Sequence, residues 1–134
     1  MNCYMGPYNP TWTKGVNNFY PLYQQFLKLT SIPNPPNFFV TLDEHPDSIN
    51  DGYFTVDANP QTLQKWNDLP ASTHAGACGF SFADGHAEIH KWLSKVTILP
   101  VLYGPFSAYP FSYDSPNASI DGTWIASHAS VKAF

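Results

Sequence analysis

The sequence predicts a single α+β domain, residues 1–134, in which a small antiparallel β-sheet and short helical segments are joined by long proline-rich loops. The chain has 134 residues, which is the usual length of one domain. Its 13 prolines divide it into short segments and exclude long helices over most of its length. Several of these segments are rich in aromatic and β-branched residues, as strands are.

The first short helix is predicted for the segment FYPLYQQFLKL, residues 19–29. Leu22, Phe26 and Leu29 recur at helical spacing, and Pro21 is suited to a first helical turn. The sequence SIPNPPN follows and ends the helix, because proline cannot continue it.

Two segments predict strands outside the hairpin described below. FFVTLDE, residues 38–44, is the clearer one, and YFTVDA, residues 53–58, is the second. Residues 59–70 predict a capped helical turn or a loop. A further short helix is expected after Asp121.

The segment GFSFADGHAEIHKW predicts a β-hairpin, because an Asp-Gly pair stands between two alternating segments. Asp84 and Gly85 are expected to occupy the two positive-φ positions of a type I′ turn. Counting outward from the turn gives the register. The predicted pairs are Ala83 with His86, Phe82 with Ala87, Ser81 with Glu88, Phe80 with Ile89, and Gly79 with His90.

The two faces of this hairpin follow from the alternation of side chains along a strand. A slip of one residue would exchange the faces and bury the charged set. The predicted faces are an apolar, core-directed face with Phe80, Phe82, Ala87 and Ile89, and a polar face with His86, Glu88 and His90.

The polar face has two interpretations. Side chains at alternate positions of a strand lie roughly 6.5–7 Å apart, so that His86, Glu88 and His90 can converge on zinc. Alternatively, they are ordinary polar residues of a solvated or subunit-facing strand. The second interpretation is preferred, because a catalytic zinc site needs three protein ligands, an open position and an oriented second shell.

A calcium site is a further candidate, in the loop LDEHPDSINDG. Asp43, Asp47 and Asp51 supply the hard oxygen ligands that calcium prefers, and Asp84 of the hairpin turn is added to this set. The spacing is not that of an EF-hand. A loop held by Asx turns is an equally good interpretation of the same residues.

Whether the two cysteines form a disulfide, and whether the one sequon is glycosylated, depends on the compartment in which the protein resides. Cys3 and Cys78 are compatible with one disulfide or with two free buried thiols, and an oxidising compartment would favour the disulfide. Asn117 begins the sequon Asn-Ala-Ser.

The charge composition argues against some partners. The chain carries six lysines, no arginine and a net charge of −4, so that a phosphate-neutralising patch for nucleic acid is missing. It contains no apolar stretch long enough to span a membrane. Only 12% of the residues are charged, which favours packing against neighbouring molecules because little repulsion opposes it.

One motif resembles a known family. His74 is followed by nine residues and then by Asp84-Gly85. This arrangement resembles the signature of the prepilin-type processing-associated domain that is named for the spacing H-X9-DG. The segments LDEHPDSINDGYF, DLPASTHAGACGFSFADGHAEIHKW, TILP and IDGTWIASHAS are similar to its verrucomicrobial branch, which is related to the major pseudopilins of type II secretion. The resemblance covers nearly the whole chain and is least distinctive in residues 1–37 and 101–120.

The resemblance implies a pilin-like globular domain that assembles into a filament. Family members begin with a leader and a long hydrophobic helix, which a prepilin peptidase processes. That helix is absent from this sequence, and the opening MNCYMG resembles a point inside the family, so that either a preceding segment is expected or the subunits associate through other surfaces. Major pseudopilins also commonly carry calcium in their C-terminal region, but the loop here is not the same motif, so that the resemblance offers calcium as one option and does not require it. The spacing itself is expected to reflect a hydrogen bond between His74 and Asp84.

Two functions from different classes are therefore carried forward. The first is a non-enzymatic structural subunit of an extracellular or periplasmic filament, with other pilins or secretion components as partners and Tyr103–Tyr113 as contact surface. A glycan at Asn117 would fit that location. The alternative is a secreted metal-dependent hydrolase or ligand-binding module. Its candidate residues are His45, His74, His86, Glu88 and His90 for metal, and Trp12, Trp66, Trp92 and Trp124 for a sugar.

Overall fold

A computed structural model of the chain describes residues 1–7, 14–61, 66–104 and 118–134. This part of the chain is α+β, as the sequence predicted, with one three-stranded antiparallel sheet and one α-helix. The elements in chain order are 3₁₀ turns at Leu29–Ser31 and Pro35–Asn37, β1 Phe39–Leu42, β2 Ala77–Phe82, β3 Ala87–Lys91 and α1 Ala118–Ser127.

The sheet has the order β1-β2-β3, so that β1 and β3 are its edges. The outer side of β1 is covered by both ends of the chain. The Asn2 N–H donates to the Val40 carbonyl at 2.9 Å, and the Phe39 N–H donates to the His128 carbonyl at 3.1 Å. A bulge between Phe39 and Thr41 also disturbs this edge.

The strand predicted for residues 38–44 is confirmed as β1, whereas the one predicted for residues 53–58 is reduced to a bridge between Phe54 and Asn2. The alternation seen in the sequence is nevertheless present, since Phe54, Val56 and Ala58 are all buried. The segment is extended and packs on the core without a partner strand of its own.

The helix predicted for residues 19–29 is wrong. Its backbone N–H groups donate to distant segments, from Gln24 to Val131 and from Phe26 to Tyr4, at 2.9 and 2.8 Å. These bonds replace the local bonds that a helix would need. Leu22 and Leu29, two members of the predicted apolar stripe, are exposed.

The core is aromatic and contains satisfied amide side chains. Asn2 is fully buried, and its side-chain amide donates to the carbonyls of Phe39 at 2.8 Å and Ala129 at 3.0 Å. It thereby joins the start of the chain, β1 and the C-terminal segment. The largest fully buried apolar side chains are Trp92, Tyr4, Phe39, Phe54, Leu69 and Ile125.

The C-terminal helix was predicted after Asp121 and begins earlier, at Ala118. Asp121 lies in its first turn, is almost fully buried, and accepts hydrogen bonds from the N–H groups of Leu93 and Ser94. The helix is thus attached to the chain just beyond β3. Across the described ranges, none of the helices is both long enough and apolar enough to cross a membrane.

Candidate functional site

The hairpin between β2 and β3 exists as predicted, but its turn is different. The Gly85 N–H donates to the Phe82 carbonyl at 3.0 Å, and the Phe82 N–H donates to the His86 carbonyl at 2.9 Å. These bonds enclose a three-residue loop, Ala83-Asp84-Gly85. Only Gly85 has a positive φ, +95°, whereas the predicted type I′ turn needs one at Asp84 as well.

The longer loop shifts the register by one residue. Phe80 lies opposite Glu88 and Cys78 opposite His90, while Gly79 lies opposite Ile89. Directly opposed residues share a face of the sheet. The predicted faces of β3 are therefore exchanged, and the prediction that Ile89 belongs to the core is wrong, since Ile89 is 67% exposed.

The histidines of β3 consequently lie on the same face as the core phenylalanines. The His86 ring stacks on Phe82 with 4.4 Å between centroids and 4° between planes. The His90 ring stacks on Trp124 of α1 at 3.6 Å and 16°. The prediction that His86 and His90 lie on the face opposite the phenylalanines is therefore wrong.

A second histidine completes this stack from the other side of the indole. His128 lies 4.2 Å from the Trp124 ring and shares a hydrogen bond of 2.7 Å with the Trp124 carbonyl through Nδ1. Partial burial in this aromatic cluster lowers the pKa of His90, which favours the neutral ring. Sequence reasoning missed the stack, because His90 and Trp124 are far apart in the chain.

His74 does not contact Asp84, contrary to the expectation from the H-X9-DG spacing. Its Nε2 atom lies 3.2 Å from the Asp43 carboxylate, and both side chains are about half exposed. Asp84 instead pairs with His86 Nδ1 at 2.6 Å, and this hydrogen bond lowers the pKa of the Asp84 carboxyl. The two halves of the motif are thus held by different partners.

Gly79 lets the Asp43 carboxylate lie against strand β2. A Cβ atom at position 79 would be only 2.8 Å from Asp43 Oδ2, and the Gly79 N–H donates to the same oxygen at 3.3 Å. A glycine inside a strand often marks such a close approach. That signal was present in the sequence and would have pointed to this position.

The four aspartates predicted as calcium ligands have separate contacts. Asp47 accepts the N–H groups of Leu102 at 2.7 Å and Gly104 at 3.2 Å, and Asp51 accepts that of Tyr53 at 2.7 Å. Asp43 and Asp84 pair with histidines, as described above. The Asp51 contact is the Asx turn of the alternative interpretation.

The histidines proposed for a transition metal are also separated. His45 is fully buried, and its Nε2 atom lies 3.3 Å from the Leu99 carbonyl. Within residues 1–7, 14–61, 66–104 and 118–134, no group of three or more His, Cys, Asp or Glu side chains is placed to hold a metal ion.

The outer face of the sheet carries a shallow groove of about 450 Å³. Its floor consists of small residues of β2 and β3, and the hydroxyl groups of Thr41 and Ser81 hydrogen-bond each other across it at 2.6 Å. The Asp43 carboxylate stands at one side, against Gly79. The lining residues used below are Thr41, Asp43, Gly79, Ser81, Ala87, Glu88 and Ile89.

Cys3 and Cys78 are both free and buried, which is the arrangement of the alternative with two buried thiols. Burial raises the pKa of each thiol to about 12, which keeps it protonated. The predicted glycosylation site Asn117, the ring of Trp12 and most of the predicted contact surface Tyr103–Tyr113 lie outside the described residues.

The indoles proposed as a sugar platform are core residues where they are described. Trp66 and Trp92 are buried and contact each other edge to face, with 6.4 Å between centroids. The Trp92 N–H donates to the Ala71 carbonyl at 2.8 Å. Trp124 is partly exposed, but both of its ring faces are covered by histidines.

Comparison of the chain with models of protein families, with curated proteins and with solved structures finds no match.

Proposed function

We propose that the chain is a structural subunit of a filament outside the cytoplasm, extracellular or periplasmic, which assembles with copies of itself. The sheet and α1 are then the globular part of a pilin-like or pseudopilin-like protein. Other pilins or components of a type II secretion system are its expected partners. The proposal assigns it no catalytic role.

The observation that supports this proposal best is the number of large apolar side chains on the described surface. Large contiguous apolar patches are rare on soluble monomers and usually mark contact surfaces. With only 12% charged residues, little electrostatic repulsion keeps copies apart. The side chains concerned are Phe19, Leu22, Leu29, Ile49, Ile89, Leu93, Ile98, Leu102, Tyr103, Ile120 and Phe134.

The free energy gained by burying such side chains, compared with the cost of association, is consistent with association through several of them. Burying one exposed Leu or Ile side chain contributes about 1–2 kcal/mol. Association of two molecules costs roughly 4–15 kcal/mol in lost freedom of motion. A single contact therefore needs several apolar side chains, and a filament in which each subunit has several neighbours gains from every contact at once.

The contacts within the hairpin support a structural role for the H-X9-DG motif. His74 holds the end of β1 through Asp43, and Asp84 holds the turn through His86. Both pairs fix backbone segments next to the sheet. We therefore include the motif in the proposal as a device that shapes the hairpin.

Calcium binding is separate from assembly in this proposal and can be tested by itself. The contacts of Asp43, Asp47, Asp51 and Asp84 would have to rearrange before these side chains could share one ion. Assembly is expected to proceed equally well with calcium and with a chelator. Filaments that form only when calcium is present would require a site that these contacts do not provide.

Immunogold electron microscopy of native cells tests the proposal. Antibodies raised against this chain are expected to label filaments at or beyond the cell surface, and cells lacking the gene are the control. Label confined to the cytoplasm, or purified full chain that stays monomeric at high concentration, would overturn it. Stoichiometric zinc in elemental analysis would instead support the metal-dependent alternative.

A further inference from the structure

The two edges of the sheet differ in how they are protected. The outer side of β1 is covered by Asn2 and His128 and is disturbed by a bulge. Strand β3 has a regular register along its whole length and no bulge. Exposed, regular edge strands tend to pair with other chains unless something blocks them.

The register shows which backbone groups of β3 point outward. His86 and Trp92 bond toward β2, through the Phe82 N–H and the Gly76 carbonyl. Alternate residues of an antiparallel strand bond on the same side, so that Glu88 and His90 also face β2. The N–H and C=O groups of Ala87, Ile89 and Lys91 therefore face away from β2, and they have no hydrogen-bond partner among the residues that the structure describes.

The sequence of β3 is complementary to itself in one antiparallel register. If two copies pair with Ile89 opposite Ile89, then Glu88 of each copy lies opposite His90 of the other. The N–H of a neutral imidazole can donate to a carboxylate opposite it, whereas parallel pairing would place Glu88 beside Glu88 and like charges repel. The outer face then gains a contact between two isoleucines that are each 67% exposed in the single chain.

The groove on the outer face can receive a side chain of the second copy in this register. In the same register Lys91 of one copy lies opposite Ala87 of the other, on the face that carries the groove. The small residues Ala87 and Ser81 leave room for the lysine side chain above them. The lysine thus enters a groove that the Asp43 carboxylate borders, and this charge complementarity favours a second copy as the occupant.

We infer that β3 is a docking edge for a second copy of this chain, which extends the sheet by antiparallel β3–β3 pairing centred on Ile89. This inference rests on the proposed self-assembly and names one of its contacts. The pairing is two-fold symmetric and joins copies in pairs. Growth of a filament from such pairs uses a second surface, such as the exposed apolar residues away from β3.

Cysteine cross-linking of the full chain tests the pairing. The Cα atoms of two directly opposed, hydrogen-bonded residues lie about 5.5 Å apart, which is within the disulfide range of roughly 4.4–6.8 Å. Ile89→Cys is therefore expected to give a covalent dimer on mild oxidation. Ile49→Cys is the matched control, because Ile49 is a similarly exposed isoleucine outside the sheet. The natural thiols, Cys3 and Cys78, are buried and protonated and stay out of the reaction.

Paired thiols react at an effective concentration in the millimolar range, so that Ile89→Cys should cross-link at least about tenfold faster than the control at micromolar protein. A second variant, Ile89→Pro, removes one outward N–H and leaves the bonds to β2 in place. It is expected to keep its melting temperature within a few degrees, and to sediment as a monomer where the natural chain sediments as a dimer.

The outcomes separate this inference from the proposed function. Filaments that form equally well with Ile89→Pro, together with equal cross-linking at positions 89 and 49, overturn the β3 pairing and leave the filament proposal intact. Rapid cross-linking at position 89 in a chain that never forms filaments supports the pairing and overturns the filament proposal. Loss of both dimers and filaments in Ile89→Pro alone supports both.

Discussion

Replacing Asp121 with alanine tests the connection between the hairpin and helix α1. The Asp121 side chain is 1% exposed and accepts the N–H groups of Leu93 and Ser94, each at 3.0 Å. It also lies in the first turn of α1, where a negative charge interacts favourably with the helix dipole. One carboxylate thus stabilises both the end of β3 and the start of the helix.

The expected loss in the free energy of unfolding follows from these two hydrogen bonds. A hydrogen bond to a charged group contributes roughly 1.5–3 kcal/mol, and a buried donor left without a partner costs about 1–3 kcal/mol. Two effects reduce the total: water reaches the partly buried Leu93 N–H, and removing a buried carboxylate also removes its desolvation cost. We expect Asp121→Ala to lower the free energy of unfolding by about 3 kcal/mol, and Asp121→Asn, which keeps one acceptor, by about half as much.

Urea unfolding followed by tryptophan fluorescence measures this loss. The matched control is Asp51→Ala, because it removes the same charge from an exposed carboxylate that, among the described residues, accepts a single backbone N–H, from Tyr53 at 2.7 Å. The control is expected to lose about 0.5 kcal/mol. In thermal unfolding, Asp121→Ala should melt about 10 °C lower than the natural chain. A loss no larger than that of the control would refute the reasoning.

Three further predictions concern the turn, an acidic side chain and the thiols. Gly85→Ala places a Cβ at φ +95° and should cost about 1–2 kcal/mol, whereas Gly52→Ala, without such a φ, should cost less in the same urea titration. Burial raises the pKa of Glu44 from 4.5 to about 7. The unfolded chain therefore releases this proton first, and stability should fall as the pH rises from 4.5 to 7, with a shallower decline in the melting temperature of Glu44→Gln. Cys3 and Cys78 should resist alkylation at pH 8 until the protein is unfolded, and a mass that increases on reduction would contradict the free thiols.

The hairpin shows how far local sequence could predict the fold. The Asp-Gly pair located the reversal correctly, because few residues other than glycine adopt the conformation of Gly85. It did not specify the loop length, since Asp-Gly is compatible with two-residue and three-residue loops. That single residue decided which face of β3 carries the histidines. The contact that stabilises the observed face, between His90 and Trp124, joins residues too far apart in sequence for a local pattern to indicate it.

The helix prediction for residues 19–29 failed for a related reason. Its apolar spacing fitted a helix, but its backbone groups bond to Tyr4 and Val131, at opposite ends of the chain. Long-range pairing of this kind overrides local propensity. By contrast, β-branched and aromatic residues located β1 correctly, and a C-terminal helix was expected near Asp121, although α1 begins earlier, at Ala118.

The candidate site was predicted less completely than the fold. The sequence indicated that His74, Asp84 and His86 lie near the hairpin, and the structure confirms this, but the pairing of His74 with Asp43 was not expected. Only Gly79 carried a signal for it, since a strand glycine suggests close approach.

Hydrogen exchange of the β3 amides tests the central claim most directly, because it reports the register and the docking edge together. The amide hydrogens of the assembled and of the unassembled full chain are exchanged in D2O. The exchange is quenched in dimethyl sulfoxide and measured residue by residue by NMR. In the single chain, the amides of Glu88 and His90 should be protected and those of Ile89 and Lys91 should exchange rapidly. In the assembled protein, the Ile89 and Lys91 amides should become protected as well. Protection of the Ile89 amide in the single chain, or rapid exchange of it after assembly, would contradict the account.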